Sequence, residues 1–216
     1  MLTKSISYAV GVAALLLASG APAPAKQKEA KNPMDIKDGV LDEIHLKVER
    51  IDGGVPVVIR RFSTEGVDLG TGKEGGKEKQ VEAAGQMVKL APDALAEKLA
   101  STLKENGLFS ETIVQPDAAV PDKALIIQGR FTEINPGSRA KRYWVSFGAG
   151  MTAVGVEGTV TNAAGDVLAE FKHRKRSGIG AAGGDYLKLM TDDTKDVGEE
   201  LAKFLTQWAS AKSLKR

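Results

Sequence analysis

One Gly-bounded stretch of the chain mixes basic and aromatic side chains in a way that is typical of binding surfaces. Residues 137–150 have the sequence GSRAKRYWVSFGAG. Its basic and aromatic members include Arg139, Lys141, Arg142, Tyr143 and Trp144. Aromatic rings bury large areas at interfaces, and Arg guanidinium groups pair with carboxylates or phosphates. The stretch therefore predicts a surface that binds another macromolecule. The alternative, a long connection between strands whose rings pack on the core, stays open.

A second group of positive charges follows closely in the sequence. The run consists of His173, Arg174, Lys175 and Arg176, and it is predicted to stand at the end of a strand. If that end lies near residues 137–150, the two groups form one positive patch. An acidic protein face or an anionic envelope component is the natural partner of such a patch. A run of ordinary solvated surface residues is the alternative.

A Gly-rich turn separates this run from the last predicted helix. Its glycines are Gly178, Gly180, Gly183 and Gly184. The spacing matches G-x-G-x-x-G, but a dinucleotide fold needs a second parallel strand after the helix, and the helix here is expected to run almost to Arg216. Two interpretations remain. One is a flexible turn that lets the helix pack on the sheet. The other is a small-ligand or anion site formed by backbone amides at the helix N-terminus, where the dipole favours negative charge.

Catalytic patterns are missing from the sequence. The two histidines, His45 and His173, have no partner in any known motif, and the chain contains no H-E-x-x-H, no G-x-S-x-G and no cysteine. The acidic pairs 192–193 and 199–200 are predicted to lie on the outer face of the last helix, where such pairs serve solubility. We therefore predict a protein that is not an enzyme and has no catalytic residue, no metal site and no cofactor.

The first 25 residues have the pattern of a cleaved Sec signal peptide. Lys4 supplies the positive charge, residues 9–18 are apolar, and Ala23 and Ala25 place small residues at positions −3 and −1. The apolar run is shorter than the roughly 20 residues that a spanning helix needs. With no cysteine, the chain has neither a lipid-accepting residue nor a disulfide. The sequence thus predicts a periplasmic or secreted protein with no transmembrane segment in its mature form.

Charge and composition narrow the class of partner. The chain carries 30 basic and 28 acidic residues, a formal net charge of +2, and is 42% hydrophobic. This composition supports a packed core and gives no reason to expect nucleic acid as a partner. The expected partner is an unknown envelope protein or an anionic envelope component, and a homo-oligomer is a further alternative.

The elements that position these residues follow from hydrophobic periodicity. Alternation predicts strands within residues 43–51, 55–62, 109–115, 124–134, 151–161 and 167–172. The first two strands, joined by Asp52-Gly53-Gly54, predict a hairpin, as do the last two, which flank Gly165. Pro56 is expected near the start or the edge of its strand, because it cannot donate to a ladder.

Two helices complete the predicted domain. Pro92 is predicted to begin the first helix, which ends at a left-handed Gly107, and Asp185 is predicted to cap the last helix. Residues 26–42 are predicted to be a flexible lead and residues 63–90 to include a long mobile loop. Residues 43–212 thus predict a single α+β domain, in which two helices pack on one face of a mainly antiparallel sheet of about five or six strands.

Three blocks of the sequence resemble one known family. They are ENGLF at residues 105–109, GSRAKRYWVSFGAG after the strand ALIIQGRFTEI, and the hairpin VTNAAGDVLAEF followed by RKRSGIGAAGGD. Together, spanning roughly residues 53–208, they are similar to the domain-of-unknown-function 4410 family of bacterial exported proteins. The resemblance implies a small α+β envelope protein without an established activity. We therefore expect a non-catalytic module for protein–protein or envelope-component interaction, with a small-ligand or anion binder as the alternative.

Signal cleavage after Ala25 gives a direct test of the predicted export. The exported chain should begin at Lys26, as measured by intact-mass spectrometry of the protein recovered outside the cytoplasm. Ala25→Lys should accumulate the uncleaved precursor, because signal peptidase requires a small residue at position −1. Lys26→Arg, the matched control, should be processed normally. An exported chain that retains residues 1–25 would contradict the prediction.

Overall fold

The computed structural model describes residues 40–70, 78–114, 119–137, 151–178 and 185–210. These residues form six strands and two long helices. The strands are β1 (Glu43–Leu46), β2 (Pro56–Ile59), β3 (Glu111–Val114), β4 (Leu125–Asn135), β5 (Thr152–Asn162) and β6 (Val167–Ser177). The helices are α1 (Glu78–Asn106) and α2 (Tyr186–Ala209). Within the described ranges, neither helix combines the length and the apolarity that a membrane span requires.

The sheet is mixed, with the strand order β1-β6-β5-β4-β2-β3. Three neighbouring pairs, β1–β6, β6–β5 and β5–β4, are antiparallel, whereas β2 is parallel to both β4 and β3. The α+β class and the two helices are confirmed, but the expectation of a mainly antiparallel sheet is wrong. The reason is that α1 follows β2 and carries the chain back before β3 begins, and such a crossover produces parallel neighbours.

One of the two predicted hairpins forms and the other does not. β5 and β6 pair as an antiparallel hairpin whose turn contains Gly165 in a left-handed conformation, with φ of 91°. β1 and β2 lie far apart in the strand order, so the hairpin around Asp52 is wrong. The N–H of Gly54 donates to the carbonyl of Leu108 at 2.7 Å, which holds this connection against the start of β3.

Burial explains where these two strands lie. β1 alternates between half-buried and buried residues, as suits an edge strand with one solvated face. β2 has three consecutive buried residues, Val57, Val58 and Ile59, all fully inaccessible to solvent. A strand that is buried on both faces must lie between other strands, and β2 accordingly lies between β3 and β4.

α1 begins well before the residue predicted to start it. The helix starts at Glu78 and contains Pro92 in its interior, so residues 78–90, which fell within the predicted loop region, are helical. The buried residues of this first part include Ala83, Ala84 and Met87. Small alanine side chains give a weak hydrophobic period, which is why the pattern does not indicate a helix here.

Local signals at the other element ends are confirmed. Gly107 has φ of 64° and its N–H donates to the carbonyls of Leu103 and Lys104, which ends α1. The Asp185 side chain accepts from the N–H groups of Leu187 and Lys188 and caps α2. Pro56 is the first residue of β2.

The two helices pack on each other and share one hydrophobic core with the sheet. A methyl group added at Gly198 of α2 would lie 2.8 Å from the carbonyl oxygen of Leu95 in α1, so the two backbones are in close approach. Phe62, Phe131 and Phe171 form an aromatic cluster over the central strands, with ring centroids 6.3 and 6.4 Å apart. α2 adds Phe204 stacked on Trp208.

Two glycine substitutions test this packing in opposite directions. A Cβ at Gly158 in β5 would lie 2.3 Å from the carbonyl oxygen of Gln128 and 2.7 Å from Cζ of Phe171. We expect Gly158→Ala to lower the free energy of unfolding by about 1–3 kcal/mol, as overpacking does. Gly85, exposed in α1, has open space around it, so Gly85→Ala should raise the same quantity by about 0.5–1 kcal/mol. Urea unfolding measures both, and a Gly158→Ala protein as stable as the wild type would contradict the packing described.

Candidate functional site

The basic run 173–176 belongs to the last part of β6, which continues to Ser177, so the strand is longer than the predicted 167–172 and includes the run. Successive side chains of a strand point to opposite faces of the sheet. His173 and Lys175 therefore face α2, whereas Arg174 and Arg176 lie on the opposite, open face. The structure does not bring the four side chains into one patch.

The side chains of β6 that face α2 are engaged with carboxylates. His173 is 8% exposed, and its Nε2 lies 2.6 Å from Oε2 of Glu200. Its Nδ1 lies 3.2 Å from Oδ2 of Asp42, although the two atoms are not aligned as a hydrogen bond. Lys175 Nζ lies 2.9 Å from Oε1 of Glu200 and 3.4 Å from Oδ2 of Asp196. The hydrogen bond to Glu200 raises the pKa of Lys175. The Lys175 ammonium is thus neutralised, and the His173 ring is engaged, within the chain.

A second carboxylate of α2 binds the ends of two strands. Asp193 is 2% exposed, its Oδ2 lies 2.8 Å from Oγ1 of Thr152, and its Oδ1 accepts from the hydroxyl of Ser177. Thr152 is the first residue of β5 and Ser177 the last residue of β6. Burial raises the pKa of Asp193, and Ser177 and Thr152 oppose this effect by hydrogen bonding. One carboxyl group therefore fastens α2 to both strand ends.

The expected outer-face position of the acidic pairs is wrong for one member of each. Asp193 and Glu200 face the sheet because β6 presents polar side chains to α2, and buried polar groups require partners. Asp192 does point outward, where it pairs with Lys188, and half-buried Glu199 pairs with Lys203.

The open face of the sheet carries a row of alternating charges. Arg130 Nη2 of β4 lies 2.6 Å from Oε1 of Glu157 in β5, and Lys172 Nζ of β6 lies 3.4 Å from Oε1 of Glu43 in β1. Glu157 and Lys172 are register partners across the β5–β6 pair. With His45, these side chains line an open groove of about 600 Å³. The groove is therefore polar and close to charge balance.

The two arginines of the run differ in their surroundings on this face. Arg174 Nη2 reaches across Gly155, its register partner, and lies 2.7 Å from Oε1 of Glu133. Arg176 is exposed, and no carboxylate of the described residues forms an ion pair with it. Among the described residues, Arg176 is the member of the run that has no carboxylate partner.

Three chain segments outside the described residues, 71–77, 138–150 and 179–184, have their flanks at one end of the sheet. Gln80 Nε2 donates to the carbonyl of Gly137 at 2.7 Å and lies 3.5 Å from the hydroxyl of Tyr186. Thr152 Oγ1 lies 2.9 Å from the carbonyl oxygen of Ser177. These contacts join residues that flank all three segments. We call this region the loop end of the sheet.

The predicted site residues of the loop segments lie outside the described residues. They are Arg139, Lys141, Arg142, Tyr143, Trp144, Gly180, Gly183 and Gly184. The three segments together hold five basic residues and one acidic residue. The loop end is therefore where the sequence concentrates positive charge.

The start of α2 bears on the alternative anion site. The carboxylate of Asp185 accepts from the N–H of Leu187 at 2.9 Å and of Lys188 at 3.3 Å. Two amides that an anion at this helix N-terminus would use thus already have an anionic partner from the chain. Gly178, the last described residue before the turn, is exposed.

Sequence reasoning missed four acidic residues, Asp42, Glu133, Asp193 and Glu200, that engage the basic run or the strand ends. A usable signal was present for two of them. Residues 193, 196 and 200 recur at helical spacing, so that these carboxylates share one face of α2. α2 packs on β6, and the residues of β6 that face it, His173, Lys175 and Ser177, alternate along the strand with residues of the open face.

Among the residues the structure describes, no group of three His, Cys, Asp or Glu side chains is arranged to hold a metal ion.

Comparison with known proteins gives one family and distant similarity to solved structures. The family model described as "Domain of unknown function (DUF4410)" matches residues 57–211. No curated protein matches the chain. Among solved structures, the chain is similar to a PelC dodecamer from Paraburkholderia phytofirmans with 14% sequence identity and a TM-score of 0.38, over 73% of this chain and 95% of that chain.

Removal of the Glu200 carboxylate tests the engagement of β6 with α2. Glu200→Ala leaves the buried His173 ring and the Lys175 ammonium without their shared partner. We expect the free energy of unfolding to fall by on the order of 1–3 kcal/mol, as when a buried polar group loses its hydrogen bond. Asp192→Ala removes an exposed carboxylate from the same helix and should leave stability unchanged. Equal urea midpoints for the two variants would show that the contact with Glu200 contributes nothing.

Proposed function

The chain belongs to the family described as a domain of unknown function (DUF4410), and from that premise we propose that it is an exported, non-catalytic envelope protein that binds another macromolecule at the loop end of its sheet. The observation that carries the proposal is the convergence at this end of the flanks of residues 71–77, 138–150 and 179–184. These segments hold five basic residues and one acidic residue.

Strand register supports placing Arg176 in the same surface as the basic and aromatic stretch. Asn135 of β4 and Arg176 of β6 are both register partners of Ala153 in β5. With neighbouring strands about 4.8 Å apart, their backbones lie roughly 10 Å from each other. Arg139 follows Asn135 by four residues, which span at most about 14 Å of extended chain, so its backbone can reach the surroundings of Arg176.

Internal pairing reduces the set of residues that we assign to the surface. Arg174 is engaged by Glu133, and Lys175 by Glu200 and Asp196. The surface that remains consists of Arg139, Lys141, Arg142, Tyr143, Trp144 and Arg176. Its basic residues favour an acidic protein face or another anionic envelope component, because opposite charges speed encounter and fix orientation.

The position of the acidic side chains supports a non-catalytic function. Asp193 and Glu200 would be the natural acid or base candidates of α2. Both are held by hydrogen bonds to residues of β5 and β6. Their contacts connect a helix to a sheet, which gives them a structural role.

Charge removal at the loop end tests the proposal. The variant Arg139→Ser, Arg142→Ser, Arg176→Ser deletes three basic residues of the surface without touching the engaged Arg174 and Lys175. In living cells that export a tagged full-length chain, cross-links from Lys141 into one recurrent envelope protein should drop at least tenfold, since three lost charge contacts exceed the 1.4 kcal/mol that a tenfold change requires. The melting temperature should stay unchanged, because the buried core of the described residues contains none of these arginines.

A matched variant controls for net charge. Lys104→Ser, Lys123→Ser, Lys195→Ser also deletes three exposed basic residues. Two of these, Lys104 and Lys123, lie near the starts of β3 and β4, at the opposite end of the sheet. The control should keep the cross-links. Cross-links that survive the arginine variant would overturn the proposed surface, and cross-links only between copies of this chain would overturn the proposal of a different partner.

A further inference from the structure

The hydrogen bonds around Asp193 can be counted proton by proton. Thr152 Oγ1 lies 2.9 Å from the carbonyl oxygen of Ser177 and 2.8 Å from Oδ2 of Asp193. A hydroxyl group has a single hydrogen, and a carbonyl oxygen can only accept. If Thr152 donates to the carbonyl, the hydrogen in its contact with Asp193 must come from Asp193. The Ser177 hydroxyl donates to Oδ1 of the same carboxyl. All three contacts are therefore satisfied together only when Asp193 is protonated.

The surroundings of this carboxyl favour its neutral form. Burial is the main cause that raises the pKa of Asp193, and the charge of Asp196 on the same helix adds to it. Lys175 on β6 acts in the opposite direction, but its ammonium is already bonded to Glu200 and Asp196.

Within the described part of the chain, the other elements around this part of α2 leave the carboxyl without a cation of its own. β5 meets it with the hydroxyl of Thr152, and α1 meets the neighbouring turn of α2 with Met87, whose Sδ lies 3.4 Å from Oγ1 of Thr191. His173, further along β6, is paired with Glu200. No cation in these contacts is dedicated to Asp193, so the geometry does not compensate a buried negative charge there.

We propose that Asp193 is a proton-operated latch that holds α2 to the ends of β5 and β6. When protonated, it completes a chain of hydrogen bonds from α2 through Thr152 to the backbone of Ser177. When Asp193 ionises, the single hydrogen of Thr152 has two acceptors. Thr152 can then donate either to the carbonyl of Ser177 or to the carboxylate of Asp193, and the other hydrogen bond is lost. Thr152 and Ser177 lie close to the residues that flank 138–150 and 179–184. The protonation state of Asp193 therefore determines how strongly these flanking residues are held. This inference does not depend on the proposed function.

The latch makes stability depend on pH with a definite sign. The pKa of Asp193 in the folded chain is raised above the ordinary value of 3.8. The stabilisation is therefore fully present below the pKa of the unfolded chain and is lost as the pH rises through the folded pKa. Asn at this position has an oxygen that accepts from Ser177 and an NH₂ group that donates to Thr152, so it imitates the protonated state at every pH.

Urea unfolding of the mature full chain at pH 4.5 and pH 7.5 tests this sign. The folding equilibrium constant of Asp193→Asn, divided by that of the wild type, should grow between the two pH values. Between these two pH values, each unit by which the folded pKa exceeds 4.5 contributes about a tenfold increase. Asp122→Asn makes the same chemical change at an exposed position and should show no such growth. A ratio that stays constant for Asp193→Asn would overturn the latch.

Two spectroscopic measurements keep the test decisive if the variant folds poorly. In the wild-type chain, the ¹³C resonance of the Asp193 carboxyl should titrate at higher pH than those of the exposed aspartates. Amide hydrogen exchange at residues 151–154 and 175–178 should be faster in the wild type than in Asp193→Asn at pH 7.5, and equal in the two at pH 4.5. Amides 112–114 of β3 should not differ at either pH. Titration together with the exposed aspartates, or equal exchange at pH 7.5, would overturn the proposal.

Discussion

The covered face of β6 carries three polar side chains, and the position of α2 depends on satisfying them. His173, Lys175 and Ser177 point toward the helix, and each would cost roughly 1–3 kcal/mol if buried without a partner. α2 supplies Asp193 opposite Ser177 and Glu200 opposite the other two. The strand residues 173–177 span about 13 Å, and helix residues 193–200 rise about 10 Å, so the two rows of groups match in length. This match accounts for the direction of α2, which runs antiparallel to β6, and for its position along the strand.

The rest of the architecture follows from that placement. Gly198 follows Asp193 by five residues and precedes Glu200 by two, so it lies on a different side of α2 from these two carboxyl groups, and this side faces Leu95 of α1. α1 can then approach closely and return the chain to the sheet for β3. That crossover makes β3 a parallel neighbour of β2, and with β4 on its other side β2 has three fully buried residues. The same contacts hold the start of β5 and the end of β6, so the described residues that flank the loop-end segments have fixed positions.

The parts of the fold that the sequence predicted correctly are those with a local physical cause. The Gly165 hairpin, the Gly107 stop of α1 and the Asp185 cap each depend on residues within one turn of chain. The family, confirmed by the match over residues 57–211, was predictable because its blocks are contiguous in sequence. The position of β1 beside β6 was not predictable, since a period of two specifies a strand and not its neighbour. The early start of α1 was hidden because its first buried residues are mainly alanines.

The same distinction explains the candidate site. The basic run is plain in the sequence, but its division between two faces depends on β6 continuing to Ser177, and its ion pairs depend on residues far away in the chain. Glu133 reaches Arg174 only because Gly155, between them in the sheet, has no side chain. A charged residue on the face of a strand that a helix covers is therefore better interpreted first as half of an internal pair. Lys175 fits this description, whereas Arg176 is exposed on the open face at the loop end and has no carboxylate partner among the described residues.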